Sequence, residues 1–274
     1  MTLKLLVTSR IFVWTYKETR FRISNQILPK PATILRNIMM PMNIEPKAMA
    51  LRGVHDCVVK SILNIASPNK NISILDVGAG QGALSKRLHE AGFKVSACEF
   101  NKDNFVYDKV EFKEANVAEH FPYDDNSFDI VVAAELIEHL LDQTRFFKEC
   151  NRVLKPGGSL VVSTPNILSL KSRLQFFSSG YYWSYDPLDM NDRGGLQHVT
   201  GRTVEQYQYM AIPCGLKLFA IEGDKFQSTS KGLLIFYPFM FLAAKAMKKN
   251  FRSNNKLKLM LSRIVVMTFK NNKM

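Results

Sequence analysis

One nine-residue stretch limits the fold more than any other: Ile74-Leu75-Asp76-Val77-Gly78-Ala79-Gly80-Gln81-Gly82. An apolar run reads as a short buried strand, and the segment after it, from Ala83, reads as a helix. Three glycines at alternate positions let the backbone turn tightly between the two and approach a ligand closely. The helix that follows offers amide groups with no intrahelical partner. A Gly-rich strand-to-helix turn belongs to a sheet whose strands are joined by helices, because parallel neighbours need a crossover connection.

The sequence downstream keeps that alternation. Strand-like runs are expected at Ile72–Val77, Phe93–Cys98, Val110–Ala115, Phe128–Ala134, Ser159–Ser163, Gly215–Glu222 and Ser262–Lys270. Helical runs are expected near residues 48–65, Ala83–Ala91, Gln143–Leu154, Leu168–Phe177 and Thr203–Ile212. Lys155-Pro156-Gly157-Gly158 reads as a sharp stop and turn. The expected fold is α/β: a Rossmann-like, doubly wound, seven-stranded, mostly parallel sheet. It closes with an antiparallel β6/β7 hairpin, interrupted by a helical insertion. In such sheets ligands sit at the carboxyl ends of the strands, near the reversal in strand order.

The pattern of the glycine turn narrows the ligand. It is D-x-G-x-G-x-G, with Asp76 ahead of the glycines, where a carboxylate suits a cationic amino-acid end better than a pyrophosphate. Strand two ends near Glu99, and a carboxylate there accepts the hydroxyls of a ribose. Together these fit an adenosyl ligand with a positive tail.

With those residues in place, the stretch resembles the class I S-adenosylmethionine-dependent methyltransferases, in particular their ubiquinone-biosynthesis-like branch. The resemblance continues through Phe121-Pro122-Tyr123-Asp124-Asp125-Asn126-Ser127-Phe128-Asp129, Glu135-Leu136-Ile137-Glu138-His139, Arg152-Val153-Leu154-Lys155-Pro156-Gly157-Gly158 and Ser163-Thr164-Pro165-Asn166. It implies that Asp76, Gly78 and Gly80 line the methionine end of S-adenosylmethionine and that Glu99 holds the ribose. Asn116 and Val117 would border the adenine; Ala79, Gly82 and Glu135 complete the candidate cofactor-binding set. The family often has Cys at position 79 and Asp at position 116. An Asn oxygen still accepts from an adenine amino group.

Glu135, Glu138 and His139 are expected to open a helix after strand four, where spacings of three and four would share a face. Some relatives, including small-RNA 2′-O-methyltransferases, use Glu-x-x-Glu-His with a later His as metal ligands. Glu135, Glu138, His139 and His198 are therefore the candidate metal ligands, for Mg²⁺ or Mn²⁺. Without a metal, His139 and His198 are the candidate catalytic bases. The expected activity is O-methylation of a hydroxyl on a glycan sugar or a lipid-tethered small molecule. Thr164–Arg173 and the later apolar insertion resemble methyltransferases found with surface-polysaccharide enzymes. RNA 2′-O-methylation and a non-catalytic cofactor-binding module are the alternatives.

Charge argues against RNA. The net charge of +13 is carried by the ends: residues 45–223 hold 19 basic and 22 acidic side chains. That core lacks the basic stripe of a nucleic-acid binder. Residues 1–42 form a basic arm, disordered or not translated, and the domain is expected over 43–274 with an apolar and basic insertion at 224–260. Within it, 232–252 joins an apolar run to Lys248, Lys249 and Arg252, which suits the surface of anionic lipid. The run is too short to span a bilayer. Four scattered cysteines imply a reducing compartment. The expected location is therefore cytoplasmic, peripheral on the inner membrane face. Nothing in the sequence reads out an oligomeric state.

Overall fold

In every central strand, neighbouring side chains belong to opposite apolar layers. The computed structural model of the protein describes residues 45–192 and 194–273; the basic arm expected at 1–42 lies outside them. Its strands are β1 (Ser73–Val77), β2 (Lys94–Glu99), β3 (Glu111–Glu114), β4 (Phe128–Ala134), β5 (Leu154–Pro165), β6 (Leu216–Gly223) and β7 (Ile264–Asn271). They form one sheet in the order β3-β2-β1-β4-β5-β7-β6. Only β7 runs against its neighbours. The seven-stranded fold expected from the sequence is the fold observed.

Leu75, Val77, Val131, Ala133, Leu160, Val162, Val265 and Met267 face one core layer. Ile74, Ile130, Val132, Val161, Ile264 and Val266 face the other. A strand's period of two forces this division, and strands covered on both faces read as continuous apolar runs. The second layer is closed by α1 (Val54–Leu63) and α2 (Ala83–Glu90), through Val54, Val58, Ile62, Leu84 and Leu88. The first is closed by α3 (Gln143–Val153), which buries Phe146, Phe147, Cys150 and Val153 at helical spacing. Beyond α4 (Leu170–Ser179), α5 (Val204–Ala211) adds Val204, Tyr207 and Ala211 to that layer. Capping sets the helix starts. Asp142 accepts from the Arg145 amide at 2.9 Å, and Thr203 with Gln206 forms a capping box at α5.

Lys155–Gly158 departs from the sequence expectation. It does not precede the strand as a turn; it lies inside β5. Phe128 pairs with Leu154 and Ile130 with Ser159, so the extra residues are absorbed as a bulge. The next departure is at residues 135–139. They do not open a helix: Glu135 has φ +53°, and a single 3₁₀ turn follows over Ile137–His139.

Between β6 and β7 the insertion folds as α6 (Ser228–Gly232), a 3₁₀ turn over Leu233–Phe236, α7 (Tyr237–Ala246), α8 (Phe251–Asn254) and α9 (Leu257–Leu261). It is fastened to the domain. Asn166, at the end of β5, donates to the carbonyls of Leu259 and Ser262 at 2.6 and 2.8 Å. Arg173 of α4 donates to the Asn254 carbonyl at 2.7 Å and to the Asn255 side chain. No helix among the described residues is long and apolar enough to cross a membrane.

Candidate active site

The strand order reverses beside β1, which pairs β2 on one side and β4 on the other. The crevice outside the carboxyl ends of β1 and β4 is therefore where a ligand is expected. The glycine turn lies there. Gly78 and Ala79 donate to the Cys98 carbonyl at 2.9 and 3.2 Å, fixing the turn to the end of β2. Gly80 donates to Glu99 Oε2 at 2.9 Å, and Phe100 donates to Oε1 at 2.9 Å. Gly78 and Gly80 have φ of +70° and +53°; a Cβ on them would stand 2.8 Å from Leu136 and 2.9 Å from Met49. The turn thus needs glycine both for its dihedrals and for its neighbours.

Asp76 is 1% exposed and its Oδ2 accepts from the Ser85 hydroxyl at 2.6 Å. Burial pushes its pKa up to about 6, against the pull of the Ser85 hydrogen bonds. A cation arriving beside it would favour the carboxylate. Gly82 sits at the start of α2. Asn116 is engaged locally: its Oδ1 accepts from the Ala118 amide at 3.2 Å and its Nδ2 donates to Glu119 at 2.9 Å. Val117 packs into the first core layer. The side chain expected to meet adenine is thus holding its own turn, and any adenine contact by Asn116 would have to share or replace those bonds.

Beside this crevice the structure gathers Glu138, His139 and His198. One ligand atom from each lies within 4.8 Å of the others. Loop contacts bring His198 in. The amides of Val199 and Thr200 both donate to the Glu138 carbonyl at 3.0 Å, and Gln143 bridges the Ile137 carbonyl and the Thr200 hydroxyl at 2.8 and 2.6 Å. His139 Nδ1 faces the Gln197 carbonyl at 3.0 Å, and His198 Nδ1 faces the Ser184 carbonyl at 2.5 Å. A carbonyl only accepts, so both Nδ1 atoms carry the proton and both Nε2 atoms keep a lone pair. Burial, the largest cause, lowers both imidazole pKa values and keeps the rings neutral.

Glu138 is fully buried; neither of its carboxylate oxygens has a well-formed hydrogen bond among the described residues, and the Thr164 hydroxyl and its own amide are the nearby donors that partly offset its burial. Burial, and then the nearby Glu135, push its pKa well above the usual carboxylate range. Glu135 does not join the group. Its left-handed backbone turns it toward β5, where its Oε1 accepts from Ser163 at 2.9 Å. Of the four candidate metal ligands, the structure brings Glu138, His139 and His198 together and leaves Glu135 outside the group. Sequence reasoning also missed two fully buried hydroxyls close to Glu138, those of Thr164 and Tyr207. Thr164 stands in the quoted Ser163–Asn166 stretch, and Tyr207 in the expected Thr203–Ile212 helix.

Residues 75–162 match a family model described as a methyltransferase domain. Over that stretch the chain is similar to a methyltransferase domain. The human mitochondrial ubiquinone biosynthesis O-methyltransferase is 32% identical over 135 residues, covering 44% of this chain and 37% of that protein. The ubiquinone biosynthesis O-methyltransferase of Caulobacter vibrioides is 29% identical over 109 residues, covering 36% and 43%. These matches thus span well under half of the relatives' own length. Among solved structures, an S-adenosylmethionine-dependent methyltransferase from Mesorhizobium loti superposes with a TM-score of 0.50 at 16% identity, covering 80% of this chain and all of that one. That likeness is one of fold. The glycine turn, Asp76 and Glu99 lie at the same end of the sheet as the Glu138–His139–His198 group.

Proposed function

We propose that this protein moves the methyl group of S-adenosylmethionine to a hydroxyl oxygen, on a glycan sugar or a lipid-tethered small molecule. The observation that carries the reading is Glu138: a fully buried carboxyl without a well-formed hydrogen bond, grouped with the imidazoles of His139 and His198 at the end of the sheet where the glycine turn lies. Buried carboxyl groups so poorly satisfied are rare in folded proteins and call for an explanation.

Each residue then has a task. Asp76 faces the cationic amino-acid end of the donor, and Glu99 keeps lone pairs for the ribose hydroxyls. Gly78 and Gly80 let the backbone come close. An acceptor hydroxyl must lose its proton as its oxygen attacks the methyl carbon, and the Nε2 of His139 or His198 is positioned as the general base. The Gln197 and Ser184 carbonyls hold the two rings in the tautomer that the task needs.

The same three residues fit a divalent metal. Two imidazoles and one carboxylate suit Mn²⁺, Fe²⁺, Co²⁺ or Zn²⁺; Mg²⁺, included in the sequence expectation, prefers oxygen donors. Their Nδ1–carbonyl bonds are the outer contacts that metal-bound histidines usually have. When bound, such an ion would acidify an acceptor hydroxyl. Glu138 and the two Nε2 atoms would hold it.

The test is transfer of radiolabelled methyl from S-adenosylmethionine to three acceptors: a prenylated catechol, a lipid-linked sugar and a methyl glycoside. Transfer to one of them, lost in Glu138→Gln and His139→Ala while calorimetric cofactor binding persists, supports the reading. Undiminished transfer in both variants removes the site. Absence of cofactor binding by the folded protein removes the methyltransferase function.

A further inference from the structure

The insertion contains a helix that breaks the rule by which soluble helices are built. Helix α7 is apolar on nearly all sides, with the sequence Tyr-Pro-Phe-Met-Phe-Leu-Ala-Ala-Lys-Ala, yet it buries none of its residues. A helix apolar all round belongs in a core or in lipid. Here Ile235 is 78% exposed, Phe239 71% and Leu242 62%. The neighbouring 3₁₀ turn touches both α7 and α4, and Phe177 of α4 is 89% exposed. These side chains make one apolar surface on a fastened support, since Arg173 ties α4 to the carbonyl at the end of α8.

The charge that accompanies this surface is of one sign. Lys231, Lys245, Lys248, Lys249 and Lys256, within or flanking these segments in the chain, are exposed. No Asp or Glu occurs from residue 225 to residue 274, nor from 166 to 185. An apolar face flanked by lysine and free of carboxylates is complementary to a bilayer with anionic headgroups. Ten residues of helix reach about 15 Å, half of the roughly 30 Å hydrocarbon thickness, so α7 can lie in the interface and cannot cross it.

The face also leads to the site. Phe176, next to Phe177, stacks on Tyr182 with ring centroids 4.4 Å apart. Tyr182 meets Tyr185 at 6.4 Å, Tyr185 meets His198 at 5.3 Å, and His198 meets His139 at 4.8 Å. A continuous row of rings thus runs from the exposed apolar face to the two imidazoles.

We propose that the surface formed by the end of α4, the 233–236 turn and α7 docks the protein on an anionic lipid bilayer, presenting a lipid-tethered acceptor on the side of the domain that the Phe176–Tyr182–Tyr185 ring contacts, with Tyr185 itself buried, connect to the histidines. This deepens the acceptor class given above and rests on it only for the second half; docking itself is measured without methyl transfer.

The full chain is floated with vesicles of phosphatidylcholine, alone or mixed with phosphatidylglycerol. Binding is expected to the mixed vesicles and to weaken with salt. Replacing Lys245, Lys248 and Lys249 together by Ala should weaken it on the order of 100-fold, at roughly fivefold per lysine. Phe239→Asp with Leu242→Asp should abolish it, and S-adenosylmethionine binding by calorimetry should stay unchanged in both variants. Failure of the folded, cofactor-binding wild type to bind mixed vesicles overturns the proposal. So does a dimer in sedimentation that becomes a monomer in the Asp variant, which would make the face a contact between two copies. Vesicle binding without methylation of any lipid-tethered acceptor keeps the docking face and removes the presentation of the acceptor to the histidines.

Discussion

Replacing Glu138 by Gln separates a group waiting for a cation from one that serves the fold. In the metal-free protein the carboxyl is buried without a well-formed hydrogen bond, and burial raises its pKa. A group whose folded pKa lies above its unfolded value supports the fold fully at low pH and loses that support as pH rises. Between the ordinary glutamate value and the folded one, the loss is about 1.4 kcal/mol per pH unit. Wild type should therefore weaken from mildly acidic toward neutral pH, and Glu138→Gln, neutral throughout, should lack that part of the slope. Near neutral pH the variant should be as stable as wild type or more so. A bound dication reverses the order. At a free concentration one hundred times its Kd it adds about 2.7 kcal/mol. For a domain of this size, at about 2–4 °C per kcal/mol, that is a rise in Tm of roughly 5–11 °C. The assay is thermal unfolding across pH with EDTA, Mn²⁺, Zn²⁺ or Mg²⁺. The variant should show no such rise. Two results would refute the reasoning: a metal-free Glu138→Gln several kcal/mol less stable than wild type, which would mean that the carboxyl has a native partner, or a wild type indifferent to every dication.

Three further outcomes are expected. Affinity for S-adenosylmethionine should fall as pH drops through about 6, where buried Asp76 takes up a proton, by about tenfold per unit; titration calorimetry should show the dependence vanish, with weaker binding, in Asp76→Asn. Gly78→Ala should cost about 1–3 kcal/mol from its left-handed backbone, with cofactor binding lost besides because Leu136 must give way; unfolding and calorimetry read the two effects separately. Phe147→Ala empties a fully buried site between α3 and β7 and should lower stability by about 3–5 kcal/mol in chemical denaturation, with the glycine turn unaffected.

Much of the fold was legible because burial on both faces leaves its mark on each strand. Phe128–Ala134 is apolar enough to be found with its exact ends, and α3 shows its buried face as Phe146, Phe147 and Cys150. The Gly78–Gly82 turn was legible because few other residues fit it. What escaped was decided by tertiary contacts. Lys155–Gly158 carries the residues of a turn, yet pairing with β4 draws it into a strand. Glu135, Glu138 and His139 have helical spacing, but Glu135 adopts a left-handed conformation and bonds to Ser163, which no local pattern announces. The approach of His198 depends on two amides bonding to the Glu138 carbonyl across some sixty residues of chain. Asn116 shows a different limit: its residue type allows a ligand contact, while its bonds to Ala118 and Glu119 are visible only in three dimensions.

The position of β7 bears on how the molecule is made. Its eight residues lie between β5 and β6, so on a ribosome that emits the chain from the amino end, β6 emerges with no strand to pair with. It must wait through the whole helical insertion before its partner leaves the exit tunnel. Until then β5 has a bare flank, the kind of open edge that invites pairing with another chain. The cofactor end of the sheet, from β3 to β4, is under no such delay and can assemble first. Nascent-chain proteolysis should therefore find protection arriving in two steps, with the second withheld until Asn271 has emerged.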